Sequence, residues 1–87
     1  MFYVYLLLLN NKQIYTGFTT NLKYRIYDHK RGNVKSTVNR RPVKLIHYEV
    51  YLLEEDARRR EKFLKTSDGK KFIRRQIACI FKKIDLK

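Results

Sequence analysis

The stretch that most limits this chain is the run at residues 2–9, FYVYLLLL, which is aromatic, β-branched and aliphatic throughout. It is far too short to span a bilayer as a helix and reads as a mostly buried strand. Asn10, Asn11 and Lys12 follow as a turn, and residues 13–18, QIYTGF, read as the returning strand of a hairpin.

The register of that hairpin decides which side chains meet. An odd-numbered loop, Asn10 to Lys12, pairs Leu7 with Tyr15 and Tyr5 with Gly17. Alternation then sets Tyr5, Leu7, Tyr15 and Gly17 on one face, with two phenols converging over a glycine that leaves room for a ligand atom. A two-residue loop would put Tyr5 and Tyr15 on opposite faces, and the residues alone do not choose. Taken by itself, a tyrosine pair in a strand is more often packing than chemistry.

Beyond the hairpin, the oxygens of Thr19, Thr20 and Asn21 can accept from first-turn amides and start a helix. It runs to about Arg31, where Gly32 supplies a left-handed stop. A polar, basic loop at 33–41 closes on Pro42, and residues 43–51, VKLIHYEVY, form a third strand. Residues 53–65, LEEDARRREKFLK, form a second helix with acids in its first turn, as the macrodipole prefers. TSDG at 66–69 is expected to break it, and residues 70–84 to form a third, basic amphipathic helix. The order β-β-α-β-α-α describes an α+β chain, one domain over residues 1–87, with a small antiparallel or mixed sheet covered by helices.

Lysine and arginine total 21 against 8 acids, a formal net charge of +13. Solubility is the plain reading. A polyanionic partner is the sharper one, because neutralising phosphates releases condensed counterions, and nucleic acid is the favoured partner. Anionic membrane surface is the rival, but no segment is long and apolar enough to span, and no secretory leader is expected at the N-terminus. The single cysteine, Cys79, cannot form an internal disulfide; its apolar surroundings suggest a packing role and a reduced, cytoplasmic setting.

Ionisable groups fall where helical spacing points inward. Leu22, Arg25, Ile26 and His29 share one stripe of the first helix. Arg25 could snorkel and His29 could cap a carbonyl at the helix end. In the second helix, Glu61 shares a stripe with Ala57 and Leu64. Burying even a neutral polar group without a partner costs roughly 2–7 kcal/mol, so Glu61 needs one: Arg25 or another arginine in the plain reading, a metal ion in the functional one. Among the other acids, Glu54, Glu55 and Asp56 belong to the helix's first turn, Asp28, Asp68 and Asp85 read as solvated, and Glu49 alternates in phase with His47 and Tyr51. No cluster suits a two-metal nuclease, no cysteine–histidine set suits zinc, and no glycine-rich phosphate loop occurs. An enzyme on phosphate esters built from these residues would have one carboxylate-held metal and other groups for the proton work.

Assembled in order, Tyr5, Tyr15, Gly17, Arg25, His29 and Glu61 resemble the GIY-YIG nuclease superfamily. Its signatures appear as YVY (Tyr3 to Tyr5) and YTG (Tyr15 to Gly17); TTNLKYRIYDH, RRPVKLIHYE and ARRREKFLK resemble its following segments, a likeness spanning residues 2 to about 75. The first glycine is missing, threonine replaces the second isoleucine, and no asparagine follows Asn39 to supply the one some members place after the glutamate helix.

The resemblance implies a three-stranded antiparallel sheet flanked by helices and Mg²⁺- or Mn²⁺-dependent cleavage of DNA phosphodiesters. It implies that Tyr5 is the general base, that Tyr15 helps order water or phosphate, and that Arg25 binds the scissile phosphate. His29 would assist proton transfer, and Glu61 would hold the metal. A phenol has a pKa near ~10, so Tyr5 needs cationic neighbours to act at neutral pH, which Arg25 and the metal could supply. Lys35, Arg40 and Arg41 in the basic loop, with Arg58, Arg59, Lys65, Lys70 and Lys71, would grip backbone phosphates. Nothing that reads sequence is visible, which implies weak specificity, recognition of DNA structure, or targeting by a protein partner. The alternatives are a non-catalytic basic nucleic-acid-binding protein and a basic scaffold for a protein or anionic lipid.

Overall fold

The apolar run at the N-terminus becomes the middle strand of a sheet. In a computed structural model describing residues 1–84, strands β1 (Phe2–Leu8), β2 (Ile14–Thr19) and β3 (Lys44–Tyr51) form an antiparallel sheet in the order β2-β1-β3. Helices α1 (Leu22–Lys30), α2 (Glu54–Leu64), α3 (Ser67–Gln76) and α4 (Ala78–Ile84) complete the α+β fold, with a 3₁₀ turn at Val38–Arg40. Only β1 is apolar on both sides, and Val4, Tyr5, Leu6 and Leu7 are each at most 1% exposed. A strand so composed must have both faces covered.

Each face has its own core. Val4 and Leu6 pack with Ala57 and Leu64 of α2 and Ile73 of α3. On the other side, Tyr5 and Leu7 pack with Ile26 of α1, and with Leu9 and Val43. Fully burying each such aliphatic side chain contributes about 1.5–3 kcal/mol. The sheet therefore separates an α2–α3 side from an α1 side.

Helix α1 starts and stops as its residues require. The Asn21 side chain accepts from the Tyr24 N–H at 3.1 Å, and Gly32 takes φ +87° just beyond the last turn.

The C-terminal region differs from expectation. TSDG does not simply break the second helix; it also begins α3, because Thr66 Oγ1 accepts the Gly69 N–H at 3.0 Å and caps a helix starting at Ser67. Gly69 lies inside α3, where a Cβ would overlap the Phe63 carbonyl of α2, so it allows close helix approach. The stretch expected as one helix is divided at Ile77 (φ −116°, ψ 45°) into α3 and α4. Cys79 is exposed, not packed, because the short α4 turns only part of its surface to the body. Asp28 is not solvated as expected: its carboxylate is 14% exposed and bonded to Arg31. Asp68 is exposed, and Asp85 lies outside the described residues.

Candidate active site

The hairpin adopts the odd-numbered loop. Lys12 donates to the Leu9 carbonyl at 3.0 Å and takes φ 69°, and Leu9 N–H reaches the Gln13 carbonyl at 2.9 Å. Tyr5 therefore faces Gly17, and Leu7 faces Tyr15. A Cβ at residue 17 would fall on the Tyr5 ring and hydroxyl. The room left by the glycine is thus filled by the Tyr5 phenol, not held open for a ligand atom as the sequence suggested.

His29, in the last turn of α1, is fully buried. Its Nε2 lies 2.8 Å from the Tyr5 hydroxyl and its Nδ1 lies 2.8 Å from Thr37 Oγ1. It does not cap a helix carbonyl through its ring; it links two hydroxyls from different parts of the chain. The imidazole also meets the Tyr15 ring edge-on at 5.2 Å between centroids. Burial, aided by the positive charge of Arg25, pushes His29 down to about 4, so the ring is neutral at physiological pH. A neutral imidazole with Nδ1–H toward Thr37 can accept the Tyr5 proton at Nε2.

The phenol is less ready to give that proton than a cationic neighbour would suggest. Burial dominates and pushes Tyr5 up to about 12; Arg25 opposes this, while Tyr15 and Glu61 add to it. Arg25 is held more basic than usual, chiefly by the neighbouring Tyr5 hydroxyl. It therefore favours a phenolate without outweighing desolvation. Tyr15 is half-buried, and its hydroxyl accepts from Ser36 at 3.4 Å.

Glu61 lies at the margin of its helical stripe. Ala57 and Leu64 are buried, but the Glu61 side chain is 17% exposed and pairs with Lys65 Nζ at 3.0 Å. Its partner is a lysine one turn on, not Arg25. Among the described residues, no group of three or more His, Cys, Asp or Glu could hold a metal ion. A single carboxylate close enough for its charge to act on Tyr5 still fits Mg²⁺ or Mn²⁺, which keep several waters and take one or two carboxylates plus substrate phosphate. Lys65 is exposed, with 56% of its side-chain surface free, and can swing away from such an ion.

The basic groups are dispersed. Lys35 and Arg40 are exposed on the loop beside the Tyr5 side of the sheet, while Arg41 bonds the Val38 carbonyl and lies against Gly32. Arg58 pairs with Glu54 and stacks on Phe18, Arg59 pairs with Asp56, and Lys70 and Lys71 are exposed on α3. Two features escaped sequence reading. Thr37, only 1% exposed, sits within what reads as a phosphate-gripping loop; the small STV stretch among cations is its one local sign. On the other side, Glu49 accepts from His47, Tyr51 and, bidentately, Arg60. The in-phase spacing of His47, Glu49 and Tyr51 was the visible part of that cluster.

A small sheet holding a Tyr–His–Thr line beside an arginine and a lone glutamate defines a class, and the family model described as the GIY-YIG catalytic domain matches residues 1–75. The chain belongs to that family, part of a nuclease superfamily. It is similar to a UPF0213 protein of Staphylococcus haemolyticus, 42% identical over 65 residues, covering 74% of this chain and 79% of that one. A UPF0213 protein of Clostridium perfringens is 41% identical over 66 residues, covering 75% and 71%. The solution NMR structure of a UPF0213 protein from Bacillus halodurans matches with a TM-score of 0.58 at 31% identity, covering 88% of this chain and 86% of that one.

Proposed function

We propose that the chain is a divalent-metal-dependent DNA endonuclease of low intrinsic sequence specificity. The observation that best supports this is the buried 2.8 Å bond from the Tyr5 hydroxyl to His29 Nε2, continued to Thr37 and flanked by Arg25. Packing alone does not require two hydroxyls and an imidazole in line beside a cation in an apolar core.

In the proposed reaction, a water oxygen forms a bond to phosphorus and its proton passes to the Tyr5 oxygen. The phenol proton moves to His29 Nε2, which the depressed pKa keeps free to accept it. The phosphorus–oxygen bond to the leaving strand breaks, and the departing alkoxide takes a proton from solvent. Arg25 binds the scissile phosphate and stabilises the charge that builds on its oxygens. Glu61 would hold Mg²⁺ or Mn²⁺, which supplies Lewis-acid charge when bound. Lys35 and Arg40 contact the backbone on the same side, and the net charge of +13 favours a polyanion.

Nicking of supercoiled plasmid, with and without Mg²⁺ or Mn²⁺, tests the proposal. Tyr5→Phe, Arg25→Ala and Glu61→Ala are each expected to slow nicking about a hundredfold or more. Nicking by all three at the wild-type rate would refute the site. Tight, strongly salt-dependent binding with no nicking would instead establish a non-catalytic nucleic-acid-binding protein.

A further inference from the structure

On the sheet face opposite Tyr5, a cavity of about 320 Å³ opens between β2, α2, α3 and α4. That is near the lower end of the roughly 300–1,000 Å³ that small-molecule sites occupy. Its floor is apolar, with Leu64 and Phe81 among its walls, and its cations are Lys70 and Arg74. Neither cation has a carboxylate within ion-pairing distance among the described residues; Arg74 instead lies over the Phe81 ring at 4.7 Å.

Two polar groups complete the lining. Thr16 is only 8% exposed, and its hydroxyl makes no hydrogen bond among the described residues, so what it shows opens into the cavity. The Gln13 side-chain oxygen accepts from Asn11 at 3.2 Å, and its NH₂ makes no hydrogen bond among the described residues. A hydroxyl open to the cavity can both donate to and accept from a bound ligand.

We propose that this cavity binds a nucleoside phosphate. Lys70 and Arg74 take the phosphate by charge-assisted hydrogen bonds. The flat base lies against Phe81 and the aliphatic floor, and its polar edge meets Thr16 and the Gln13 amide. An acyl chain would match the floor and the cations but leave Thr16 and Gln13 unpaired. Thr16 lies between Tyr15 and Gly17, so a ligand here touches the strand that carries the candidate site. The nucleoside phosphate comes either as a free nucleotide or as one unit of a DNA strand crossing the β2 edge. Only the second source rests on the nuclease reading.

The experiment is a titration of the full ¹⁵N-labelled chain in EDTA with deoxyadenosine 5′-monophosphate, followed by amide chemical shifts. Saturable shifts are expected at Gln13, Thr16, Ile73 and Arg74, with Kd on the order of 1 mM or tighter. Arg74→Gln and Lys70→Gln should each weaken binding about tenfold, and the near-isosteric Thr16→Val should weaken it without disturbing the fold. Inorganic phosphate and deoxyadenosine, added separately, should each bind more weakly than the nucleotide. Absence of saturable shifts at these amides, or equal binding of inorganic phosphate and the nucleotide, overturns the proposal. An oligodeoxynucleotide lacking a terminal phosphate separates the sources. Displacement of the nucleotide from these amides marks the strand, and no displacement marks the free nucleotide. Because no divalent ion is present, the result stands whether or not the chain cuts DNA.

Discussion

Burial of His29 should make the fold acid-sensitive well above the range where carboxylates titrate. The ring falls from its ordinary 6.5 to about 4 on folding, so between these values the unfolded chain binds a proton that the native state refuses. Stability contributed by the neutral ring is therefore complete above about pH 6.5 and is lost as pH falls toward 4. At 1.36 kcal/mol per pH unit of difference, the full loss is about 3 kcal/mol, of which about 2 kcal/mol has gone by pH 5. Glu49 acts lower down: although burial would raise it, bonds from Arg60, His47 and Tyr51 hold its carboxyl below the ordinary value. Its contribution is present above the unfolded carboxylate value and lost as pH falls below it. Urea unfolding followed by circular dichroism at pH 7.5, 6.5, 5.5 and 5 isolates the histidine effect. His29→Gln should be less stable at neutral pH but show about 2 kcal/mol less dependence on pH across this range. Equal pH slopes for wild type and variant, or a His29 imidazole titrating near 6 by NMR in the folded protein, would show that burial does not hold the ring neutral.

Gly17→Ala should push the Tyr5 ring off its present position, costing about 1–3 kcal/mol in thermal or urea unfolding and abolishing any nicking that depends on the Tyr5–His29 bond. Unchanged stability would mean that β2 yields instead of the phenol. Glu49→Ala removes the acceptor shared by His47, Tyr51 and Arg60 and should cost about 2–4 kcal/mol in urea unfolding. Gly69→Ala should separate α2 from α3 and lower the melting temperature, since its Cβ meets backbone and not a movable side chain. Lys35→Gln and Arg40→Gln should each reduce the slope of log affinity for DNA against log salt by about one, read from binding at several salt concentrations.

The parts of the fold visible in the sequence are those governed by short-range rules. An unbroken apolar strand, an asparagine cap, a left-handed glycine and a third alternating segment each have one dominant local solution, and each forms as expected. Where the outcome depended on distant contacts, the local signals were insufficient. Gly69 reads as a breaker because its reason is the Phe63 carbonyl of another helix. Thr37 reads as a polar loop residue because its partner, His29, is eight positions away and faces inward. Glu61 and Glu49 show the same limit. Helical phase marks Glu61 as an acid in need of an arginine or a metal ion, yet the arginine, Arg60, belongs to Glu49, and Glu61 meets Lys65. On either side of the buried Ala57–Leu64 stripe, Arg60 reaches toward β3 and Glu61 toward the solvent margin. A one-position difference on a helix is about 100°, enough to exchange a cross-element ion pair with β3 for one with a lysine on the same helix.

The electrostatics of the Tyr5–His29 pair then constrain when chemistry could occur. With burial pushing the phenol up and the imidazole down, transfer of the proton between them in the resting protein is strongly uphill. Arg25 is already present and does not close that gap, because burial outweighs it at Tyr5 and its own charge disfavours a protonated His29. The hydrogen-bonded line is thus assembled with its proton held on the phenol. Negative charge arriving beside Arg25 would ease protonation of His29, and positive charge arriving beside Glu61 would ease ionisation of Tyr5. In the proposed reaction, phosphate at Arg25 and a divalent cation at Glu61 would supply those two signs, and neither alone would act on both ends of the pair. Under the proposed reaction, a site of this kind would stay silent until both were bound, so a polyanion without the metal would not be cut.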